Sequence, residues 1–301
     1  TPFYKNALVN KKVTSGNYYR DIVEKEVVAE VKRAWCYYLF ARGQASLYRE
    51  QSDLADRLQR AGEIRYQQGD ITLLEKNMSS TLAADMRNKL FQANEELKIA
   101  ANRLQWACYS DEAIVPVDLG VTLLPLPASD DVSGQVHLNY LQSLTDQKKT
   151  LLQIERSRFF PELSVGYVRQ DILPLKGLHS WMVGVSFPIF FTAQQSRIKQ
   201  ARIDYRIQQT QQELNVRELI NKLTELNAEL ARQGESIRYF TTSALPEAEA
   251  LIKAAALQLK ASDTDITQFI QSINSALFIK KSYLETVYLY NVAVLETELY
   301  K

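Results

Sequence analysis

Chain breakers are scarce in this sequence. It holds 10 glycines and 8 prolines among 301 residues, about half the usual share. Turns depend on these residues, so few turns are expected, and a sandwich or barrel of short strands throughout is excluded. Histidine is limited to His137 and His179, and cysteine to Cys36 and Cys108. The three methionines, Met78, Met86 and Met182, do not cluster. These shortages leave no visible zinc or copper site and no soft copper relay. The two cysteines permit one disulfide without implying it, and both sit in helical patterns where they read as small packed residues. Charge of one sign is also missing. Lys and Arg total 36 against 35 Asp and Glu, a net charge of +1, which disfavours a nucleic-acid binder. No P-loop, dinucleotide-binding glycine motif or nucleophile elbow occurs. The longest apolar run is Ala34–Ala41, AWCYYLFA, well short of the ~18 residues of a spanning helix. The opening TPFYKNALVNKK lacks the apolar core of a secretory leader. The chain therefore reads either as cytosolic or as a mature or trimmed piece.

What is present is helical periodicity. From Asn17 to Tyr66 only Gly43 and Gly62 interrupt, and Val28, Val31, Trp35 and Tyr38 recur at steps of three and four. The spacing predicts an amphipathic helix that would span ~75 Å, a length typical of a coiled-coil body. Gln67–Asp70 supplies a turn, and Thr72 with Glu75 matches a capping box that starts a second helix, running to about Tyr109. The stretch Ser110–Ser133 is extended and turn-rich and reads as a connection. A helix is expected over Val136–Arg158. The period then changes from 3.6 to 2. Leu163, Val165 and Tyr167 alternate with smaller residues, as do Trp181, Val183, Val185 and Phe187. This predicts a β-hairpin with its tip near Pro174–Gly177. Helical spacing resumes at Gln194. Leu219, Leu223, Leu226 and Leu230 form one seam, and Pro246 should kink the helix or start a new segment. A second turn falls at Ser262–Asp265, and Asp265 with Gln268 again resembles a cap. The run Trp35–Phe40 reads as an aromatic site buried among neighbouring helices.

The two halves match each other. A shift of 193 residues places Ala55, Leu58, Ala61, Asp70, Ser79, Ala83 and Ala100 on Ala248, Leu251, Ala254, Asp263, Ser272, Ala276 and Ala293. Thr72 and Glu75 fall on Asp265 and Gln268, so the capping signals coincide. Thr1-Pro2-Phe3-Tyr4 resembles Phe187-Pro188-Ile189-Phe190, the exit of the hairpin. The first half thus begins where a hairpin would end, and the expectation is an N-terminally truncated chain lacking an upstream helix and hairpin. The expected organisation is a first-repeat helical pair (1–109), a connection (110–135), and a second repeat (136–301) carrying the hairpin at 159–191.

In this order and spacing the chain resembles the TolC family of outer-membrane efflux proteins. The carrying stretches are RSRFFPELSVGYVRQ, WMVGVSFPIFFTAQQSRIKQARIDY, RAGEIRYQQGDITLLEKNMSS, LKIAANRLQWACYSDEA and FIKKSYLETVYLYNVAVLETELY. The match resembles in particular the members paired with heavy-metal-exporting resistance-nodulation-division pumps. The resemblance implies a mainly α fold: very long antiparallel coiled-coil helices of the tunnel type, with the hairpin contributing to a membrane β-barrel. Spanning strands alternate their faces over ~9–11 residues. Val165, Tyr167, Trp181, Val183, Val185 and Phe187 would then face lipid, and Ser164, Gly166, Met182, Gly184 and Ser186 the lumen. A hairpin packed on a soluble core is the plainer reading of the alternation alone. The long flanking helices and the aromatics Phe159, Phe160, Phe190 and Phe191 favour the membrane.

The resemblance further implies a passive exit duct of a tripartite efflux system, with no enzymatic step and no cofactor. It would sit in the bacterial outer membrane, extend into the periplasm and, at full length, form a homotrimer. Its partners would be outer-membrane lipid, a periplasmic adaptor and an inner-membrane pump, with heavy-metal cations as a candidate cargo. The tunnel tips meeting the adaptor would be Gly69, Asp70, Ser262, Asp263 and Asp265. The entrance constriction would fall at Gln268 and Gln271, neutral where some family members carry acidic rings. Asp265 and Gln268 can equally be read as helix caps. The alternatives are a periplasmic coiled-coil adaptor or tether, which should show a Gly-rich β-domain, and an all-α enzyme, which should show inward histidines or carboxylates. With one hairpin and unpaired strand edges, the chain alone is expected not to close a trimeric barrel.

Overall fold

The computed structural model describes residues 2–112, 114, 122–126, 136–172, 175–186, 191–260 and 266–300. The elements run α1 (Pro2–Gln67), α2 (Leu73–Ala107), α3 (Val136–Ser157), β1 (Glu162–Ile172), β2 (Leu175–Ser186), α4 (Phe191–Tyr239), a π segment (Phe240–Ala244), α5 (Leu245–Lys260) and α6 (Ile266–Tyr300). Among the described residues long helices dominate, with one two-stranded antiparallel sheet. No described helix is long and apolar enough to cross a membrane, which leaves open what strands do.

Helix α1 begins well before the expected Asn17. Pro2 opens it, and proline suits a first turn because its missing N–H has no partner there anyway. Gly16 then lies inside the helix, where it costs only ~1 kcal/mol relative to alanine and does not break so long an element. The buried positions Ser15, Ile22, Ala29 and Cys36 recur at every seventh residue, the period of a coiled-coil seam. In α4 the expected residues Leu219, Leu223, Leu226 and Leu230 are all buried, and Gln233 and Ile237 continue the steps of three and four.

Pro246 acts one turn upstream of itself. It has no N–H to bond the carbonyl a turn before it, and the backbone answers with the five-residue π segment immediately ahead of α5. The Leu245 N–H donates to the Phe240 carbonyl across this wider turn. Hydroxyls of Thr241 and Thr242 donate to the Ile237 and Arg238 carbonyls at 2.9 and 2.8 Å, a pattern that bends helices.

Two compact units are present. The first comprises Thr1–Glu24 and Asp131–Asn221. Polar side chains tie its helices. The Gln194 amide donates to the Glu155 carbonyl at 2.7 Å, and the Thr145 hydroxyl donates to Gln212 Oε1 at 2.6 Å. Lys11 pairs with Asp146 at 3.8 Å. In the hairpin, Leu163 faces Val185, Val165 faces Val183 and Tyr167 faces Trp181, with an irregularity between Gln170 and Ile172. Gly177, at φ +79°, lies within β2. Of the expected Pro174–Gly177 tip, Leu175, Lys176 and Gly177 therefore belong to a strand, and Pro174 lies outside the described residues.

The second unit comprises Lys25–Asp130 and Lys222–Lys301. Its main core joins Leu47, Ala55 and Leu58 of α1, Leu82, Ala83 and Met86 of α2, Ala255 of α5, and Ile266, Phe269, Ile270, Ile273 and Leu277 of α6. Among the positions matched by the 193-residue shift, Ala55 and Ala248, Ala83 and Ala276, and Ala100 and Ala293 are buried in both halves. Leu58 and Leu251 differ, the second being exposed. The aromatic run is only half-buried. Phe40 stacks on Tyr288 of α6 at 4.9 Å, the Tyr37 hydroxyl donates to Glu96 of α2, and the Arg103 guanidinium covers the Tyr37 ring at 5.1 Å. Burial pushes the Tyr37 phenol up to about 12, assisted by the Glu96 carboxylate. Both cysteines are free. Cys36 is buried, with its thiol pushed up to about 11 by desolvation. Cys108 is exposed, against the reading of both as packed residues, because α2 ends at Ala107 and Tyr109 turns back at φ +52°.

The described part of the connection, residues 122–126, is held by one side chain. Asn291 of α6 accepts from the Leu124 N–H and donates to the Thr122 carbonyl, both at 2.9 Å, as a paired strand would. Leu124 then packs on Leu230, Ala293 and Val294. Replacing Asn291 by alanine should leave these backbone groups unmatched and cost about 1–3 kcal/mol. Urea denaturation checks the cost, and limited proteolysis should show cleavage appearing near residues 122–126. Unchanged stability and unchanged cleavage would remove Asn291 from this role.

Candidate functional site

Three places carry the residues that sequence singles out. The first is the α1–α2 tip. Its geometry follows from two local rules. Gly69 adopts φ +79°, a left-handed conformation that favours glycine. The Asp70 N–H reaches the Arg65 carbonyl at 2.9 Å and the Gly69 N–H the Tyr66 carbonyl at 3.0 Å, the paired bonds that close a helix C-terminus. Two residues later the capping box forms in full. The Thr72 N–H donates to Glu75 Oε2 at 2.7 Å, and the Glu75 N–H donates to Thr72 Oγ1 at 3.2 Å. Lys76 bridges back to Glu63 at 3.0 Å and lies 4.9 Å over the Tyr66 ring. That ammonium holds the Glu63 carboxyl below the usual carboxylate range. Gly62 makes close approach possible, since a Cβ there would stand 2.8 Å from the Ser79 hydroxyl oxygen.

Gly69 and Asp70 are exposed at this tip. Ser262, Asp263 and Asp265, expected at the second tip, lie outside the described residues. Sequence reasoning missed the apolar surface beside the first turn. Ile64, Leu73 and Leu74 are all more than half exposed, and so is Leu257 near the end of α5. Two leucines in the opening turn of a helix, directly after its cap, were the available signal. That position normally faces water.

The second place is the start of α6. Gln268 and Gln271 are exposed and one turn apart, while Ile266, Phe269, Ile270 and Ile273 face the core. Ile71 of the first tip enters that same core, so the first tip and the α6 start share one foundation. Both glutamines are neutral amides. Among the described residues no group of three or more His, Cys, Asp or Glu could hold a metal ion.

The third place is the hairpin. The register puts Leu163, Val165, Tyr167, Trp181, Val183 and Val185 on one face, and Ser164, Gly166, Met182, Gly184 and Ser186 on the other. Phe187 lies outside the described residues. The first face is uncovered: Trp181 is 72% exposed, Val183 69% and Leu163 68%. On the second face the Ser164 hydroxyl donates to the Gly184 carbonyl at 3.2 Å.

Neither a family model nor a curated protein matches the sequence. Solved structures do match. CusC aligns with a TM-score of 0.84 at 14% identity, over 97% of this chain and 72% of its own. The outer-membrane channel OprN aligns with a TM-score of 0.85 at 12% identity, over 97% of this chain and 69% of its own. The Campylobacter jejuni CmeC outer-membrane channel aligns with a TM-score of 0.84 at 10% identity, over 98% and 66%. The chain has the TolC-type outer-membrane channel fold. At such identities the likeness is one of fold, and the TolC-type frame accounts for the mainly helical architecture with a single small sheet.

The tip predicts its own sensitivity. Gly69→Val forces a β-branched residue into the left-handed region and should cost about 1–2 kcal/mol. Thr72→Ala removes the cap and should cost about 1 kcal/mol. Urea midpoints at constant m-value check both. Equal stability in Gly69→Val and the parent would show that the turn relaxes without strain.

Proposed function

We propose that this protein is an outer-membrane exit duct of a tripartite efflux system, moving its cargo passively across the periplasm and the outer membrane. The observation that carries this reading is the uncovered apolar face of the hairpin. A two-stranded sheet is marginal in water by itself, and this one exposes Leu163, Val165, Trp181, Val183 and Val185 together. A lipid-facing role for Val165, Tyr167, Trp181, Val183, Val185 and Phe187 gives that face its solvent. The fold likeness to outer-membrane channels supports the same localisation.

The other parts follow from the duct. Exposed apolar residues recur at helical spacing in the first unit, at Val9 and Val13 of α1 and at Ile203, Ile207 and Leu214 of α4. They suit seams between protomers of a homotrimer. Gly69, Asp70, Ser262, Asp263 and Asp265 would form the tip that meets a periplasmic adaptor, with Ile64, Leu73 and Leu74 adding apolar area. Gln268 and Gln271 would line the constriction. The two-repeat division (1–109, 110–135 and 136–301) describes how such a protomer is built. No step in this scheme is enzymatic, and an inner-membrane pump supplies the energy. Heavy-metal cations are the cargo that the sequence resemblance suggests, and the neutral constriction leaves their selection to the pump.

Deleting the gene should lower tolerance of the host to the exported compounds, read as growth across metal salts and drugs, and the parent gene should restore it. The Leu73→Asp/Leu74→Asp variant should still reach the outer-membrane fraction, yet fail to restore tolerance and cross-link less to the adaptor. Recovery of the protein in the soluble fraction, with tolerance unchanged on deletion, would overturn the duct.

A further inference from the structure

The hairpin carries one feature that a lipid-facing apolar band does not require. Beyond the Tyr167–Trp181 pair, toward the turn, the next residues on the same face are Arg169 and His179, directly opposite each other. Both are exposed. Strands advance ~3.3 Å per residue. The band from Leu163 and Val185 to the ring pair is therefore ~13 Å long, and the two basic residues stand ~7 Å past it. Tyr167 and Trp181 lie with centroids 4.9 Å apart, and His179 stacks on Tyr167 at 5.8 Å with 16° between the rings. The Tyr167 hydroxyl and His179 Nδ1 are hydrogen-bonded, which leaves Nε2 for a further partner. Two basic side chains directly across a strand pair repel one another when both are charged, and an anion between them reverses the sign. A guanidinium fork beside an imidazole N–H fits a phosphate group.

We propose that Arg169 and His179 bind an anionic phosphate monoester of a lipid headgroup in the leaflet on the turn side of the hairpin, one whose charge no choline balances. The ring pair marks the depth at which acyl chain gives way to headgroup, and Tyr167 fixes the imidazole. The assignment rests on the membrane reading of the hairpin. The strands leave the helices at Ser157 and return at Phe191, so the turn is their far end and the leaflet is the outer one.

The test uses the full chain with Trp35→Phe and Trp106→Phe, leaving Trp181 as the one fluorophore. It is reconstituted with phosphatidylcholine vesicles, alone or with one tenth phosphatidic acid. Brominated acyl chains should quench Trp181 in both. Phosphatidic acid should tighten binding in vesicle flotation by roughly five-fold per cation engaged. Arg169→Ala/His179→Ala should abolish that preference and leave the quenching intact, while Arg169→Lys should keep part of it. Should the double variant fold poorly by circular dichroism, Arg169→Gln and His179→Gln singly should each reduce the preference. Asp171→Asn, two positions along β1, should not weaken it. A preference that survives in the double variant overturns the proposal. So does inorganic phosphate binding the detergent-solubilised chain as tightly as phosphatidic acid, which would make the ligand the free ion. Absence of quenching in both vesicles would sink the membrane reading itself, whereas intact quenching without a preference for phosphatidic acid would sink this proposal alone.

Discussion

The apolar face of the hairpin is the constraint on which the rest depends. Leu163, Val165, Trp181, Val183 and Val185 stand on one side of a sheet with only two strands. Burying a large apolar side chain stabilises by roughly 1.5–3 kcal/mol, so leaving five in water forfeits an amount comparable to the stability of a whole domain. No helix of the same unit covers them. The face is therefore stable only where apolar solvent or other strands meet it. A closed barrel in lipid meets both needs, since closure pairs the edges while lipid covers the outer side.

That demand on the strands shapes the helices beside them. In the unit that carries the hairpin, the ties are Gln194 to Glu155, Thr145 to Gln212 and Lys11 to Asp146. Such contacts are directional, and they fix register between helices without requiring a thick apolar core. In the other unit small residues do the equivalent work. Ala83, Ala100 and Ala276 are fully buried, and Gly62 sits against Ser79. Small side chains along a seven-residue seam let long helices run close together over many turns. The main apolar core is concentrated near the tip, where Ile71, Leu82, Met86, Ile266 and Phe269 converge and where the chain must reverse.

Features encoded over a few residues were legible in the sequence. The change of period marked the hairpin and its two faces. Thr72 and Glu75 marked the start of α2, and Gly69 the turn before it. The leucine steps marked the α4 seam. Features decided by distant partners were not legible. The position of the π segment depends on where a missing N–H at Pro246 could be absorbed along the helix. Asn291 reads as an ordinary polar residue in α6 until the segment 167 to 169 positions earlier is laid against it. Cys108 and Trp106 continue the helical pattern of α2 yet are exposed, so period alone misjudged their burial. The exposed Leu73 and Leu74 were hidden by the same rule, because an apolar residue in a helix is normally taken as core.

The neutral pair on α6 bears on how such a duct could discriminate. Amide side chains carry dipoles and no net charge, so at a proposed constriction Gln268 and Gln271 would raise little electrostatic barrier to either sign of ion. An acidic ring at that position would concentrate cations and slow their release, since a site that attracts strongly also retains. In the proposed duct, amides there would leave passage to width and hydration. Selection by charge then belongs to whatever loads the duct. A low-affinity entrance is what a passive exit needs, because every kcal/mol of binding inside the channel must be recovered before the cargo leaves.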